Sequence, residues 1–445
     1  MKRIPVANSR RALVLAFFAL VVCLLKFTQA QEKPIQQGER EMARAMLNEI
    51  RQDLAKNYYD PKFQGLDVQA RFKEADDRIK QATSLNQALG TVAWALEGLH
   101  DSHTFFIPPP RPFRLDYGWQ AAMIGDKCFV IAVRPGSDAD QKELRPGDLV
   151  ETINRIAPSR ENFWSLNYIL KILRPQPGFE LVVVNPAGNR RTVAVAAKIQ
   201  QGKITAHYTA ADFGNDVREA ESAFKRNQRR SYVVGNDVIV WKLPSFELDE
   251  KGVDAMFAES SKYKGMVLDL RQDPGGFELS VLHMIGSLFD HDVNVGSSQT
   301  RKGLEPLVAK SRGDRAYKGK FVLLIDSASA SASEILARVV QMEKRGPVIG
   351  DTSSGSVMSA RVYSHVFGMD TIVPYAAEIS AANLIMADGK SLEKSGVVPD
   401  ETILPTGADL AASRDPVLSR AVTLAGASIS PEDAGKLFPV EWPKL

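Results

Sequence analysis

The segment Asp326-Ser327-Ala328-Ser329-Ala330-Ser331-Ala332-Ser333-Glu334-Ile335 follows an apolar, strand-like run at 321–325 and enters a helix expected over 331–344. Its small side chains let a substrate approach the backbone. The first turn of a helix offers unpaired amides and the positive end of the helix dipole. A serine there can attack a carbonyl while the following amide binds the developing oxyanion. The same spacing, Ser331-x-x-Glu334, is also a capping box, worth about 1 kcal/mol to a helix. On this segment alone both roles stay open.

A second segment, Asp269-Leu270-Arg271-Gln272-Asp273-Pro274-Gly275-Gly276, ends an apolar strand in a sharp turn. Its exposed amides could form an anion-binding nest, or the turn could be an ordinary connection. A general base is sought among His100, His103, His207, His283, His291 and His365. None has a metal-ligand spacing such as His-Glu-x-x-His. His103 is the best placed, following Asp101 and Ser102 in a loop between a helix end and an apolar strand. No phosphate-binding loop is present, so no cofactor and no metal is expected.

The elements that must hold these residues fall in three blocks. Residues 36–98 read as helices: Met42, Met46, Leu47, Ile50 and Leu54 recur at helical spacing, as do Val68, Phe72, Ala75 and Ile79. Ser84 to Gln87 is a capping-box pattern opening a third helix. Residues 111–198 hold strand-like runs at 128–133, 149–153, 181–184 and 192–196. From Val233 strands and helices alternate, which argues for an α/β core. The stretch 200–232 reads as a polar connector, and 406–445 as a tail without an assigned place.

The chain has 445 residues, 44% hydrophobic and 24% charged, which is ordinary globular composition. This excludes disordered, collagen-like and polytopic membrane classes. The formal net charge is +3, but the first 30 residues carry five basic residues and no acidic one, leaving 51 basic against 53 acidic beyond them. Nothing in that balance calls for nucleic acid. Residues 1–30 read as a secretory signal: Arg10 and Arg11 precede an apolar run over 12–25 that is too short to span a bilayer, and Thr28-Gln29-Ala30 offers a cleavage site. Export to the periplasm or the extracellular space is expected, with no stable membrane insertion after cleavage. An uncleaved N-terminal anchor is the other reading of the run. Cleavage would leave Cys128 alone, unable to form an internal disulfide.

Three motifs then occur in a telling order: Leu268-Asp269-Leu270-Arg271-x-x-Pro274-Gly275-Gly276, Ser331-Ala332-Ser333-Glu334-Ile335 after a strand, and Gly396-Val397-Val398-Pro399-Asp400. Over about 95–405 the chain resembles the C-terminal processing (tail-specific) serine proteases. The resemblance implies an α/β (α+β) fold, with a crotonase-like catalytic core, an N-terminal helical segment and a PDZ-like domain. The expected division is 1–30 signal peptide, 31–108 helical region, 109–199 PDZ-like domain, 200–232 connector, 233–405 catalytic core and 406–445 tail. Val133 to Ala139 and Leu144 to Asn154 look like central PDZ strands and a turn, whereas the carboxylate-binding loop expected near 117–123 is poor in glycine.

By motif alignment the nucleophile is Ser331. The lysine that the family commonly uses as base falls on Ser356, and its supporting glutamine on Ala360. A second, tricorn-like branch uses histidine, and its pattern of Ser-His, nucleophilic serine and glutamate matches Ser102-His103, Ser331 and Glu393. The resemblance thus implies His103 as base, Glu393 with Ser102 as its support, and an oxyanion hole from the amides of Ala332 and of Gly275 or Gly276. The implied activity is serine endopeptidase hydrolysis of unfolded or tail-exposed polypeptide. Two other readings compete: a catalytically inactive PDZ-containing peptide-binding protein on a protease-like core, and crotonase-type acyl-CoA chemistry, which export disfavours.

Overall fold

A computed structural model describes residues 33–201, 229–368 and 372–442. The signal expected at 1–30 and most of the connector expected at 200–232 lie outside the described residues. Among the described residues, no helix is long and apolar enough to cross a membrane.

The fold is mixed α/β. Three helices come first: α1 (Gln37–Asn57), α2 (Val68–Lys80) and α3 (Leu85–Glu97). Ser84 caps α3 by accepting from the Gln87 amide at 3.2 Å, while Gln87 Oε1 reaches back to the Thr83 amide at 2.8 Å rather than to Ser84. Next come β1 (Phe105–Ile107), β2 (Phe113–Asp116), β3 (Trp119–Ile124), β4 (Lys127–Val133), β5 (Leu149–Ile153), β6 (Gly178–Val184), β7 (Arg190–Ala196) and β8 (Lys198–Gln201). Strands β3 to β7 form an antiparallel sheet in sequence order around their own core, which includes Trp119, Val130, Leu144, Phe179 and Val195.

The remaining chain supplies β9 (Arg230–Val234), β10 (Val238–Lys242), α4 (Glu250–Ser260), β11 (Gly265–Asp269), α5 (Glu278–Leu288), β12 (Val293–Thr300), β13 (Gly303–Ala309), β14 (Lys320–Ile325), α6 (Ala332–Met342), β15 (Val348–Gly350), β16 (Met358–Phe367), β17 (Val373–Met386), β18 (Glu401–Thr402) and α7 (Pro416–Ala425). Six strands make a sheet in the order β18-β15-β14-β11-β10-β9, parallel except for β9. A second sheet runs β1-β17-β12-β13, with β16 also paired to the 14-residue β17.

A largely parallel sheet needs cover on both faces. Ile239, Trp241, Leu268 and Leu323 point towards α4, α5 and α6. The alternate residues Val238, Val240, Val267 and Leu324 point towards Val417, Leu418, Ala421 and Val422 of α7. The segment read as an unplaced tail is therefore a structural layer. The end of the expected connector also differs: residues 230–234 are the edge strand β9, paired with β10 from Val234↔Val238. The helical region contributes a strand as well. β1 pairs with β17, and α1 to α3 pack on that sheet through Phe106, Tyr375 and Ile379.

Candidate active site

The loop between α3 and β1 turns through His100, whose φ is +53°. Asp101 Oδ1 then accepts the His103 amide at 3.1 Å and the Ser380 hydroxyl at 2.9 Å. Thr104 Oγ1 accepts the Ser380 amide at 3.1 Å, and Phe105 enters register opposite Glu378. His103 is thus held at the head of β1 through Asp101 and Thr104, both hydrogen-bonded to Ser380 of β17.

Glu393 lies half-buried beside this loop. Its Oε1 accepts the Ser102 amide at 2.9 Å, and its Oε2 accepts the Ser102 hydroxyl and the Val357 amide, each at 2.9 Å. Ser102 Oγ also lies 2.7 Å from His103 Nδ1. A carboxylate only accepts, so Ser102 gives its single hydroxyl proton to Glu393. Its oxygen must then accept from Nδ1–H. That choice leaves Nε2 of His103 with the free lone pair that a base requires.

Ser331 sits at the N-terminus of α6 with φ +53° and ψ −114°, outside the helical region. Its amide donates to the Ser356 carbonyl at 2.8 Å and to Glu334 Oε2 at 3.1 Å. The Ser356 carbonyl and the Val357 amide belong to one peptide group. That single group therefore holds the Ser331 backbone on one side and Glu393 on the other. Ser356 contributes here through its backbone.

Sequence reasoning saw Glu334 only as a capping residue. It is fully buried, and it receives the amides of Ser331, Gly355 and Ser356 and the Ser353 hydroxyl, the last at 2.6 Å. It organises the loop that faces Ser331. Burial pushes its carboxyl up to about 7, against those four donors. The only sequence signal for this role is the Ser331-x-x-Glu334 spacing. The same loop is gripped by the β3–β7 unit: Arg160 binds Asp351 Oδ2 at 3.1 Å and the Ser353 carbonyl at 3.0 Å.

The Pro274-Gly275-Gly276 turn lies against Ser331. An ideal Cβ on Gly275 would fall 2.7 Å from Ser331 Cβ and 3.0 Å from the Ala332 nitrogen. The Gly275 amide is already committed to Asp273 Oδ1 at 2.7 Å, so Gly275 cannot serve as an oxyanion donor in this arrangement. The Gly275 carbonyl accepts from Phe246 at 2.7 Å. Across that trans peptide the Gly276 amide points the opposite way. Ala332 is the first residue of α6, so its amide has no partner within the helix.

Ser102, His103 and Glu393 are brought together by direct hydrogen bonds. Ser331 joins them only through the 356–357 peptide, since no hydrogen bond links it to His103. Lys344 lies past the far end of α6, about 20 Å along the axis from Ser331, too far to act as a base in place of His103. Burial pushes the His103 imidazole down, with Asp101 opposing. Burial raises the Glu393 carboxyl against the donors from Val357 and Ser102. A cavity of about 420 Å³ opens at the carboxyl ends of β10, β11, β14 and β15, but Ser331, His103 and Glu393 are not in its wall.

Gly275→Ala should lower turnover by about 10²–10³-fold, the cost of misplacing an oxyanion donor. Gly275 has φ +100°, and the added methyl would collide with Ser331 Cβ and the Ala330 carbonyl. Gly276→Val is the less clean variant, because its Cβ would fall 2.7 Å from the Phe246 carbonyl carbon and disturb the fold as well. Unchanged kcat in a folded Gly275→Ala protein would remove the turn from the site.

Residues 237–403 match the model of peptidase family S41. The chain is 24% identical over 322 residues to the tail-specific protease of Haemophilus influenzae, covering 67% of this chain and 43% of that protein. It is 28% identical over 331 residues to the carboxy-terminal processing protease CtpA of Bacillus subtilis, covering 70% of this chain and 62% of that one. The matches therefore span about half of the length of these relatives. Among solved structures, mature CPAF shares the fold with a TM-score of 0.62 at 13% identity, over 84% of this chain and 94% of that one.

Proposed function

We propose, from the match of residues 237–403 to the model of peptidase family S41, that the protein is an exported serine endopeptidase that cleaves unfolded or tail-exposed polypeptides. The observation that carries this reading is the Glu393–Ser102–His103 relay, tied through the 356–357 peptide to the backbone of Ser331. Ser331 attacks the scissile carbonyl. His103 Nε2 takes its proton and returns it to the leaving amine. Glu393, acting through Ser102, stabilises the imidazolium. The amides of Ala332 and Gly276 bind the oxyanion. The β3–β7 sheet is read as the PDZ-like domain and the six-stranded sheet as the centre of a crotonase-like core. The leader at 1–30 directs export.

The competing reading is an inactive peptide-binding protein. It draws on the loss of the family's lysine at Ser356 and on the missing Ser331–His103 hydrogen bond. A fluorophosphonate probe with peptide mapping separates the two. Labelling confined to Ser331, together with hydrolysis of an unstructured peptide, is the expected result. No labelling and no hydrolysis by folded protein would leave the binding-protein reading standing.

A further inference from the structure

Asp273 is a buried acid that the mechanism above does not use. Its side chain is fully buried, and Oδ2 has no hydrogen-bond partner. Oδ1 accepts the Gly275 amide at 2.7 Å, closing a tight turn over Pro274. The Asp273 backbone carbonyl accepts from the Ala330 amide at 3.0 Å and the Ser333 hydroxyl at 3.2 Å. One residue thus fastens the glycine turn to both sides of Ser331.

We propose that Asp273 is a positioning residue of the oxyanion hole, kept as the neutral acid so that it fixes the Gly275 amide without placing a negative charge beside the reacting carbonyl. The inference rests on the hydrolase reading above. With Oδ1 and the Phe246 amide holding the two ends of Gly275, the orientation of the next peptide is set, and with it the direction of the Gly276 amide. An ionised, unpaired carboxylate at this depth would be costly. Two charged groups act on Asp273 from neighbouring elements: Lys242 at the end of β10 favours ionisation, and Asp326 after β14 opposes it. Lys242 is itself engaged by Asp269 at 3.2 Å and the Arg271 carbonyl at 2.6 Å. Burial outweighs the Gly275 amide and the Ser333 hydroxyl and raises the Asp273 carboxyl to about 8. Ionisation above that pH would repel the developing oxyanion, so activity should fall on the alkaline side.

Two measurements test this. Asp273→Leu, which removes the acceptor, should lower kcat about 10²-fold with KM little changed. Asp273→Asn keeps a carbonyl acceptor without a proton to lose. It should recover most of that loss and abolish the alkaline fall near pH 8. An active parent whose Asp273→Asn variant keeps the same alkaline limb would overturn the inference while leaving the hydrolase reading intact.

The second measurement needs no turnover. An acid whose folded pKa is raised stabilises the fold below its unfolded pKa, and that contribution is lost as pH rises through the folded value. The Tm of Asp273→Asn relative to the parent should therefore climb from pH 5 to pH 8 and then level off. A difference that stays flat across that range would show Asp273 ionised throughout and overturn the inference. A parent that neither hydrolyses peptide nor takes the probe would overturn the hydrolase reading and the positioning role together.

Discussion

Ser331→Ala and His103→Ala should each lower kcat on an unstructured peptide by about 10⁴–10⁶-fold near neutral pH, and the double variant should lose no more than either alone. The two residues supply one event. The hydroxyl of Ser331 is a weak nucleophile until its proton has somewhere to go, and an imidazole with no hydroxyl to deprotonate does nothing. Ser102 Oγ, 2.7 Å from Nδ1, sets the tautomer that leaves Nε2 as the base. The missing contact between His103 and Ser331 does not weaken the expectation, because catalytic hydrogen bonds often tighten only when substrate is bound. Ser356→Ala is the internal control. Ser356 acts through its backbone carbonyl and amide, and both survive in alanine. Full activity in a folded His103→Ala protein would refute the base. Lys344 would not replace it, since the length of α6 lies between that lysine and Ser331.

How much of this was legible depends on the distance along the chain over which each feature is built. The strands β10, β11 and β14 are runs of apolar residues that need no partner to be recognised. The layer that covers their second face was harder to find, because Val417, Leu418, Ala421 and Val422 lie far along the chain, in what reads as a tail. Yet Val238–Lys242 and Gly265–Asp269 are apolar on both faces, which already demands a second layer. The hairpin β12–β13 is hard to read from sequence for the opposite reason. Ser297, Ser298, Gln299 and Thr300 give β12 too little apolar alternation to register as a strand.

The site divides in the same way. Ser331, His103 and Glu393 stand in motifs whose order could be compared with a family. Their juxtaposition could not be derived locally, because the bond from Ser102 to Glu393 joins residues 291 positions apart. Glu334 and Asp273 lie inside the sequence motifs themselves. A capping box and a Pro-Gly-Gly turn account for them so well that only burial, with four donors on one carboxylate and an unpartnered oxygen on the other, singles them out. Burial of a polar side chain depends on what packs over it from elsewhere, and no window of sequence records that.

The relay makes a separate prediction about pH. Glu393→Gln should lower kcat about 10²-fold, within the usual range for acid–base support, and should move the acid limb of kcat/KM to lower pH. A glutamine can place its carbonyl at the Oε2 position, where it accepts from Ser102 Oγ and Val357, but its amino group then meets the donor N–H of Ser102 at the Oε1 position, so that one hydrogen bond is lost. The tautomer of His103 is then preserved while the negative charge is lost. That charge stabilises imidazolium, so removing it lowers the imidazole pKa, which burial has already pushed down. The base stays neutral, and competent, to lower pH. Loss of the Glu393 titration itself, raised by burial, shifts the limb the same way. Ser102→Ala should also cost activity, but for a different reason. It leaves the charge in place and removes the group that transmits it, so Nδ1 loses its partner and both tautomers become populated. Rate profiles from pH 4.5 to 8 for parent, Glu393→Gln and Ser102→Ala decide the matter. An acid limb in Glu393→Gln that stays where it is, or moves to higher pH, would mean that Glu393 acts on the fold and not on His103.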